Sequence, residues 1–215
     1  MELSRPEGLL YVYMDPPQGD EQLFNTWYND EHAPNRMLVP GILNGVRYQA
    51  TGPEGPRYVA RYDLQTLGAL ASPEYVQIST NRSDRERDVM SRLRLLDRRV
   101  LRITDWMPPS TDPAPFMLAV AMDPDPEHVD DFNAWYRDEH MPMLLSVPGW
   151  LRVCRYEQVE GTGPRFLALH DIQSLDVFEQ PEYASAVNTP WRDRVMGHIT
   201  RRERHVFSFY RAFSR

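Results

Sequence analysis

Lysine is absent from this sequence of 215 residues, so all 24 basic side chains are arginine. Schiff-base catalysis and covalent attachment of pyridoxal phosphate both need a lysine amine, and the composition therefore excludes them. Cysteine is almost absent as well. The single residue, Cys154, cannot form an intrachain disulfide, which favours a reducing cytoplasm as the compartment.

Long apolar runs are also missing. No stretch approaches the ~20 apolar residues of a membrane helix, and the N-terminal segment lacks the apolar core and cleavage site of a secretory signal. A formal net charge of −7 argues against a nucleic-acid partner. The sequence therefore predicts an ordinary globular, cytoplasmic protein that binds neither a membrane nor a nucleic acid.

One segment of the chain occurs twice, 108 residues apart. Residues 24–34 (FNTWYNDEHAP) return as residues 132–142 (FNAWYRDEHMP), and 24 of the 52 aligned positions between 24–75 and 132–183 are identical. A period near one hundred residues is too long for a solenoid, so each copy is expected to be a domain. The proline-rich stretch 107–115 is the predicted linker, which gives a first repeat at 1–106 and a second at 116–215.

Each copy is predicted to contain six elements in the order strand, helix, strand, strand, helix, strand. Apolar runs, turn residues and acidic helix starts carry this prediction. The order is that of the ferredoxin-like βαββαβ fold, an α+β unit with an antiparallel sheet and both helices on one face. The other sheet face must be covered, so the two sheets are predicted to pack face to face. The predicted strands are 9–14, 42–49, 58–64 and 99–104, then 116–122, 150–157, 166–172 and 205–210; the first helices are 20–32 and 127–140.

The repeated segment places aromatic and ionisable side chains on one helix. Residues four apart share a helix face, so Phe24, Tyr28 and His32 form one stripe beside Trp27 and Glu31. The same spacing recurs in the second copy. The candidate substrate contacts on these helices are Trp27, Tyr28, Glu31, Trp135, Tyr136 and Glu139.

The motif Trp-Tyr-x-x-Glu-His-x-Pro on the first helix and a Pro-Glu-Tyr segment in the second helical region resemble the dimeric α/β-barrel superfamily. The nearest branch is the EthD-like group, here fused as a tandem copy. This resemblance implies an intramolecular barrel, a monomer that acts as a pseudo-dimer, and leaves further homodimerisation open. The superfamily includes cofactor-free cyclases, isomerases and decarboxylases, small monooxygenases, haem enzymes and proteins without known activity. In its cyclases the ligand cavity lies between the sheet and the helices.

An imidazole that reaches such a cavity is a natural general base, because its pKa lies near working pH. The predicted catalytic residues are therefore His32, His140 and His170. The last replaces Tyr62, itself a predicted substrate contact, on the third strand. A tyrosine beside the histidine would donate a hydrogen bond to an oxyanion. In the alternative interpretation the histidines cap helix ends or lie satisfied in the core, and the aromatic residues are core.

Three functions follow from these alternatives. The first is a cofactor-independent lyase, isomerase or cyclase that uses histidine acid–base chemistry on a hydrophobic polyketide-like or aromatic small molecule. The second is a non-catalytic small-molecule-binding or accessory protein of the EthD-like group. The third is a haem- or oxygen-using enzyme of the same superfamily. A metal site is not expected, because Glu31 and His32 diverge by about 100° around a helix.

Overall fold

The computed structural model describes residues 5–108 and 113–214. Part of the predicted linker, residues 109–112, lies outside the described residues. The strands are Gly8–Asp15 (β1), Ile42–Ala50 (β2), Tyr58–Leu64 (β3), Leu95–Asp105 (β4), Phe116–Pro124 (β5), Trp150–Glu160 (β6), Phe166–Ile172 (β7) and Ile199–Phe213 (β8). The α-helices are Glu21–Trp27 (α1), Ala33–Met37 (α2), Pro73–Thr80 (α3), Asp84–Ser91 (α4), Val129–Trp135 (α5), Met141–Leu145 (α6), Pro181–Ala186 (α7) and Pro190–Met196 (α8).

Two compact units divide the described part of the chain. Unit 1 draws on Met1–Ile103, Gln158–Thr162 and Tyr210–Arg215, and unit 2 on Thr104–Glu157 and Gly163–Phe209. Thus two short segments from the second half of the chain join the first unit, a division that the linker prediction did not include.

Unit 1 contains the strand order β4-β1-β3-β2, with antiparallel pairing throughout. Alternate residues of β1 point to opposite faces of the sheet. Leu10 and Met14 belong to an apolar core shared with Phe24 and Trp27 of α1. Leu9 and Tyr11, which point to the opposite face, are also fully buried. Both faces of this strand are therefore covered, which explains its nearly continuous apolar sequence.

Unit 2 contains the order β8-β5-β7-β6, again with antiparallel pairing. Its core joins Leu118 and Met122 of β5 to Phe132 and Trp135 of α5. The pairing of β5 with β8 runs from Phe116 opposite Ser208 to Pro124 opposite Ile199. The last strand is thus much longer than the predicted 205–210. Its first half contains the consecutive charged residues 201–204, which do not resemble an apolar strand although they pair with β5.

The predicted arrangement of two separate ferredoxin-like sheets packed face to face is wrong. All eight strands instead form one closed barrel in the order β1-β3-β2-β8-β5-β7-β6-β4. The outer strands of a free sheet leave backbone N–H and C=O groups unpaired, and closure removes those edges. Alternation of apolar residues predicts which faces are buried, but it carries no information about pairing between edge strands. That is why the sequence pattern missed the closure.

The first helix of each unit is longer than predicted and changes its winding midway. Helices α1 and α2 are joined by a π-helical turn at Tyr28–His32, where the N–H of Ala33 bonds to the Tyr28 carbonyl. Helices α5 and α6 are joined by the same kind of turn at Tyr136–His140. Proline follows in the first turn of the next helical segment. A widened turn lets the chain continue past a proline that would otherwise break an α-helix.

None of the helices in the described residues is both long enough and apolar enough to cross a membrane.

Candidate active site

The π-helical turn of unit 1 positions His32 against two aromatic rings at once. The His32 ring centroid lies 4.7 Å from that of Trp27 and 4.8 Å from that of Tyr28. A regular α-helix would place residues 27 and 32 about 140° apart. The five-residue turn brings them to the same face, so the two predicted stripes of this helix merge around the imidazole. Such π-helical insertions are frequent at functional sites.

These side chains line a cavity in unit 1, here called cavity 1, with a volume of about 250 Å³. Its walls come from β1, the helices and β4. A cavity of about 150 Å³ accommodates benzene, so this volume suits a compact ligand of about two rings. Most of the wall is apolar or aromatic, as is usual for small-molecule sites. The lining residues that bear directly on chemistry are Trp27, Tyr28, His32, Arg36, Tyr62 and Tyr75.

A buried carboxylate holds the imidazole in place. His32 Nδ1 lies 3.1 Å from Glu86 Oε1, and an Arg36 guanidinium nitrogen lies 3.9 Å from the same oxygen. Glu86 and Arg36 are both buried, and the Arg36 guanidinium also lies over the Tyr75 ring at 5.5 Å. Glu86 is on α4, and Ser83 caps that helix by accepting a hydrogen bond from the Glu86 backbone N–H. The cap therefore fixes the start of the helix that delivers the carboxylate.

Burial decides the charge state of His32. Desolvation, followed by the positive charge of Arg36, lowers the pKa of His32 to about 4, although Glu86 opposes this shift. For Glu86, burial alone would raise the pKa, but the His32 hydrogen bond and nearby arginines outweigh it, and the pKa is lowered. At neutral pH the pair is therefore a neutral imidazole beside a carboxylate. In that state Nδ1 carries the proton toward Glu86, and Nε2 holds a free lone pair.

Two phenols form the other polar group of cavity 1. The hydroxyl oxygens of Tyr28 and Tyr62 are 2.8 Å apart in a buried hydrogen bond. Burial raises the pKa of each, so both are neutral donors at pH 7. One hydroxyl proton is used within the pair, and the other remains available for a ligand oxygen.

A buried arginine supports Tyr28 from behind. The Arg47 guanidinium lies 4.1 Å from the Tyr28 ring centroid and donates hydrogen bonds to Asn29 Oδ1 at 2.7 Å and Asn25 Oδ1 at 2.8 Å. Arg47 is fully buried. This cation–π contact and its two amide partners fix the phenol ring and favour its anionic character.

The repeated glutamates lie away from the cavities. Glu31 accepts a hydrogen bond from Ser83, and Glu139 accepts one from Thr189 at 2.5 Å. Ser83 and Thr189 are the N-caps of α4 and α8. The glutamates therefore tie the first helix of each unit to the start of the last one, and neither lines the cavity of its unit.

Unit 2 has its own cavity, here called cavity 2, with a volume of about 120 Å³. His140 and His170 both line it, together with Trp135, Tyr136 and Trp150. The His140 ring stacks on Trp135 at 4.3 Å, and the His170 ring meets Trp150 edge-on at 5.3 Å. The structure thus brings together the two histidines that the sequence placed on different elements.

Burial keeps both of these imidazoles neutral. Desolvation lowers the pKa of His140 to about 4, against an opposing hydrogen bond to the backbone of Ala186. Desolvation, then the proximity of His140 and Arg204, lowers the pKa of His170 to about 3. Within the described residues, Nδ1 of each ring is buried without a hydrogen-bond partner.

The sequence pattern missed Glu86, Arg36 and Arg47. Glu86 is 54 positions from His32 in a helix rich in arginine and acid, and no local spacing marks it as the buried one. For Arg47 the sequence offered one indication, because the pair Arg47-Tyr48 recurs 108 residues later as Arg155-Tyr156. Charged residues are mostly exposed, so composition alone favours the surface for all three.

A haem group does not fit either cavity. Cavity 2, where two histidines offer a nitrogen ligand, has a volume of about 120 Å³. A cavity of roughly 150 Å³ accommodates a single benzene molecule, and a porphyrin is several times larger than benzene. Cavity 1, with a volume of about 250 Å³, is also too small for a porphyrin. Among the residues that the structure describes, no group of three or more His, Cys, Asp or Glu side chains is arranged to hold a metal ion.

No protein-family model matches the chain, and no curated protein matches it in sequence. Solved structures do match in fold. An anthrone oxidase-like protein has a TM-score of 0.67 at 9% identity, covering 98% of this chain and 94% of its own. A candidate monooxygenase from Fusobacterium nucleatum has a TM-score of 0.63 at 11% identity, covering 98% and 95%. A mutant chlorite dismutase from Candidatus Nitrospira defluvii has a TM-score of 0.64 at 11% identity, covering 97% and 92%.

These proteins are of the dimeric α/β-barrel superfamily. At such low identities the likeness is one of fold, and it does not transfer an activity.

Proposed function

We propose that cavity 1 binds a compact hydrophobic molecule with an acidic C–H bond and that His32 removes a proton from it. The observation that carries this proposal is a neutral imidazole, held by the buried Glu86 carboxylate at 3.1 Å, in the wall of an apolar cavity. A general base must be unprotonated and must be aimed at its target. Glu86 supplies both the orientation and a counter-charge for the imidazolium that forms.

The tyrosine pair stabilises the anion that proton removal creates. Taking a proton from carbon next to a carbonyl gives an enolate, whose negative charge lies mainly on oxygen. The Tyr28–Tyr62 pair retains one hydroxyl proton for that oxygen, and Arg47 behind the Tyr28 ring strengthens the donor. Donors fixed before the reaction stabilise developing charge without a cost of reorganisation.

Dioxygen is the acceptor we propose for the electrons of that anion. The structural neighbours described as an anthrone oxidase-like protein and a candidate monooxygenase support an oxygen-using reaction. The carbanion carbon bonds to O₂, and the terminal oxygen of the resulting peroxide anion takes up the proton from His32, which gives a hydroperoxide. Loss of water then leaves a new carbonyl, so one CH₂ group and one O₂ become C=O and H₂O. These steps balance with the substrate as the only reductant.

Proton transfer and oxygen use are separable by experiment. A suitable probe is 2-tetralone, a compact bicyclic ketone with acidic protons beside its carbonyl. Exchange of these protons in D₂O, followed by NMR under argon, measures the base alone, and uptake of O₂ in air measures the oxidation. We expect wild-type protein to catalyse both.

Variants test the assigned roles. His32→Gln should abolish catalysed exchange, and His198→Gln, which removes a surface histidine, should leave the rate unchanged. Exchange that persists in His32→Gln overturns the role of the base. Exchange under argon without O₂ uptake in air rejects the oxidation and supports a cyclase or isomerase that uses the same base. Binding of 2-tetralone with neither exchange nor uptake selects the non-catalytic binding protein.

A further inference from the structure

Cavity 2 differs from cavity 1 in the charges around it. Helices α4 and α8 align with a shift of 106 residues, because the caps Ser83 and Thr189 and the pairs Val89-Met90 and Val195-Met196 correspond. With this shift, the position of Glu86 is occupied in unit 2 by Arg192. The carboxylate that faces the imidazole in one unit is therefore an arginine in the other.

Each cavity is lined by three arginines, Arg36, Arg82 and Arg98 in cavity 1 and Arg192, Arg202 and Arg204 in cavity 2, so the two differ in where these charges lie and in how they are compensated. Leu96 of cavity 1 corresponds to Arg202 of cavity 2, and Arg98 corresponds to Arg204. In unit 1, Arg98 pairs with Glu160 at 3.0 Å. In the described residues of unit 2, no ion pair involves Arg202 or Arg204, both of which are exposed. The Arg204 guanidinium is instead held over the Phe178 ring at 5.1 Å.

Arg202 and Arg204 point to the same face of β8, because they are two residues apart in a strand. Both line cavity 2 with Arg192, and none of the lining residues, all of which the structure describes, is acidic. An Arg192 guanidinium nitrogen lies 3.7 Å from Asp193, which is largely exposed. The opening of the cavity is thus surrounded by positive charge that has little internal compensation.

The inside of cavity 2 presents unused hydrogen-bonding atoms. His170 is 1% exposed and His140 8% exposed, yet Nδ1 of each lacks a partner among the described residues, as does Nε1 of Trp150. A buried polar atom without a partner destabilises the folded protein, and a bound ligand is one way to recover that free energy. The remaining walls are apolar, including Leu118 and Val120.

We infer that cavity 2 binds a compact organic carboxylate, a ligand of a different class from that of cavity 1. The apolar body of the ligand lies among the aromatic walls, within hydrogen-bonding reach of the two imidazoles. Its carboxylate faces Arg192, Arg202 and Arg204, and arginine is the side chain best suited to bind that group. The volume of about 120 Å³ limits the body to about one small ring. This inference does not rest on the reaction proposed for cavity 1.

Benzoate is the probe, and benzamide, which has nearly the same shape without the charge, is its control. The readout is the NMR signals of ¹⁵N-labelled imidazole nitrogens, which report His32, His140 and His170 separately. We expect benzoate to shift the Nδ1 signals of His140 and His170 and to leave those of His32 unchanged. Benzamide should bind at least about tenfold more weakly.

Three variants test the arginines. Arg202→Leu and Arg192→Glu, which introduce the residue types of unit 1, should each weaken benzoate binding at least about tenfold. Arg201→Leu removes the same charge from the opposite face of β8, where Arg201 pairs with Glu203 at 3.3 Å, and should stay within about twofold of wild type. Resolved signals of His140 and His170 in the ligand-free variants, together with unchanged His32 signals, verify that both units are folded.

Four results would overturn the inference. They are equal affinity for benzamide and benzoate, equal loss in Arg201→Leu and Arg202→Leu, shifts at His32 in place of the unit 2 histidines, or no shift with either benzoate or the smaller isobutyrate at millimolar concentration. Because no readout uses turnover, failure here leaves the reaction proposed for cavity 1 standing, and the reverse also holds.

Discussion

Replacing His170 with tyrosine should make the protein markedly less sensitive to acid. His170 is 1% exposed, and burial lowers its pKa to about 3. In the unfolded chain its pKa returns to about 6.5. Between these values the unfolded chain binds a proton that the folded protein does not. Lowering the pH from 6.5 toward 3 therefore stabilises the unfolded state and decreases the free energy of unfolding.

The size of the effect follows from the two pKa values. At pH 4.5 the unfolded histidine lies two pH units below its pKa, while the folded one is still neutral. At 1.36 kcal/mol per unit, and allowing for slight protonation at pH 7, His170 alone should remove about 2.5 kcal/mol of stability between pH 7 and pH 4.5. Tyrosine does not titrate in this range, so the variant should not suffer this loss.

Tyrosine is a suitable replacement because the unit 1 position is Tyr62, whose hydroxyl lies 2.8 Å from that of Tyr28. The counterpart of Tyr28 in unit 2 is Tyr136, which lines cavity 2 and provides a partner. Any packing cost of the substitution is the same at both pH values and cancels when the two are compared.

The assay is urea denaturation of wild type and His170→Tyr at pH 7.0 and 4.5, monitored by tryptophan fluorescence. The wild-type protein should lose about 2.5 kcal/mol more than the variant between the two pH values. His198→Gln is the control, because it removes a histidine whose side chain is 37% exposed and should leave the pH dependence of the free energy of unfolding nearly unchanged. Identical pH dependence in wild type and His170→Tyr would refute the claim that His170 is buried in its neutral form.

Three further predictions concern other parts of the molecule. Glu86→Gln removes the group that raises the pKa of His32, so the acid limb of the pH–rate profile for proton exchange should move below pH 4. The exchange rate itself should fall about 10–100-fold. An acid limb at the wild-type pH would contradict the pairing of His32 with Glu86. Arg47→Met removes two hydrogen bonds and a contact with an aromatic ring. It should therefore lower the free energy of unfolding, measured by urea titration, by about 2–4 kcal/mol. A loss below about 1 kcal/mol would contradict a stabilising role for these contacts. Gly149→Ala, at a backbone φ of +87°, should cost about 1–3 kcal/mol, whereas Gly52→Ala, where added bulk meets open space, should cost less than about 1 kcal/mol; equal costs would show that conformation does not matter at residue 149.

Local patterns predicted a large part of the secondary structure. The strands at Tyr58–Leu64 and Phe166–Ile172 have the predicted bounds, because both are short apolar runs between turn residues. The first helices were predicted to end near the histidines, but they continue to Met37 and Leu145. Proline normally marks a helix end, and the π-helical turn that accommodates it has no sequence signature that the periodicity of an α-helix reveals.

Some contacts of the candidate site could likewise be predicted from local sequence, and others could not. Helical spacing was enough to bring Tyr28 next to His32, since both lie within one turn of the same helix. The carboxylate of Glu86, the buried Arg47 and the partnerless nitrogens of His140 and His170 depend on contacts between residues far apart in the sequence. Whether a charged side chain is buried, and against what, is determined by packing and not by its neighbours in the chain.

The sequence by itself determined the chemistry available to this protein: no lysine amine, one cysteine, and two copies of an aromatic and histidine-bearing helix segment. Composition excludes a reaction by omitting the group that it needs, and helical periodicity groups residues that are close in the chain. Only the tertiary structure decided that the eight strands close into one barrel and that one histidine faces a carboxylate while its counterpart has arginines nearby. Those outcomes depend on strand-edge pairing and desolvation, which arise when distant segments of the chain come together.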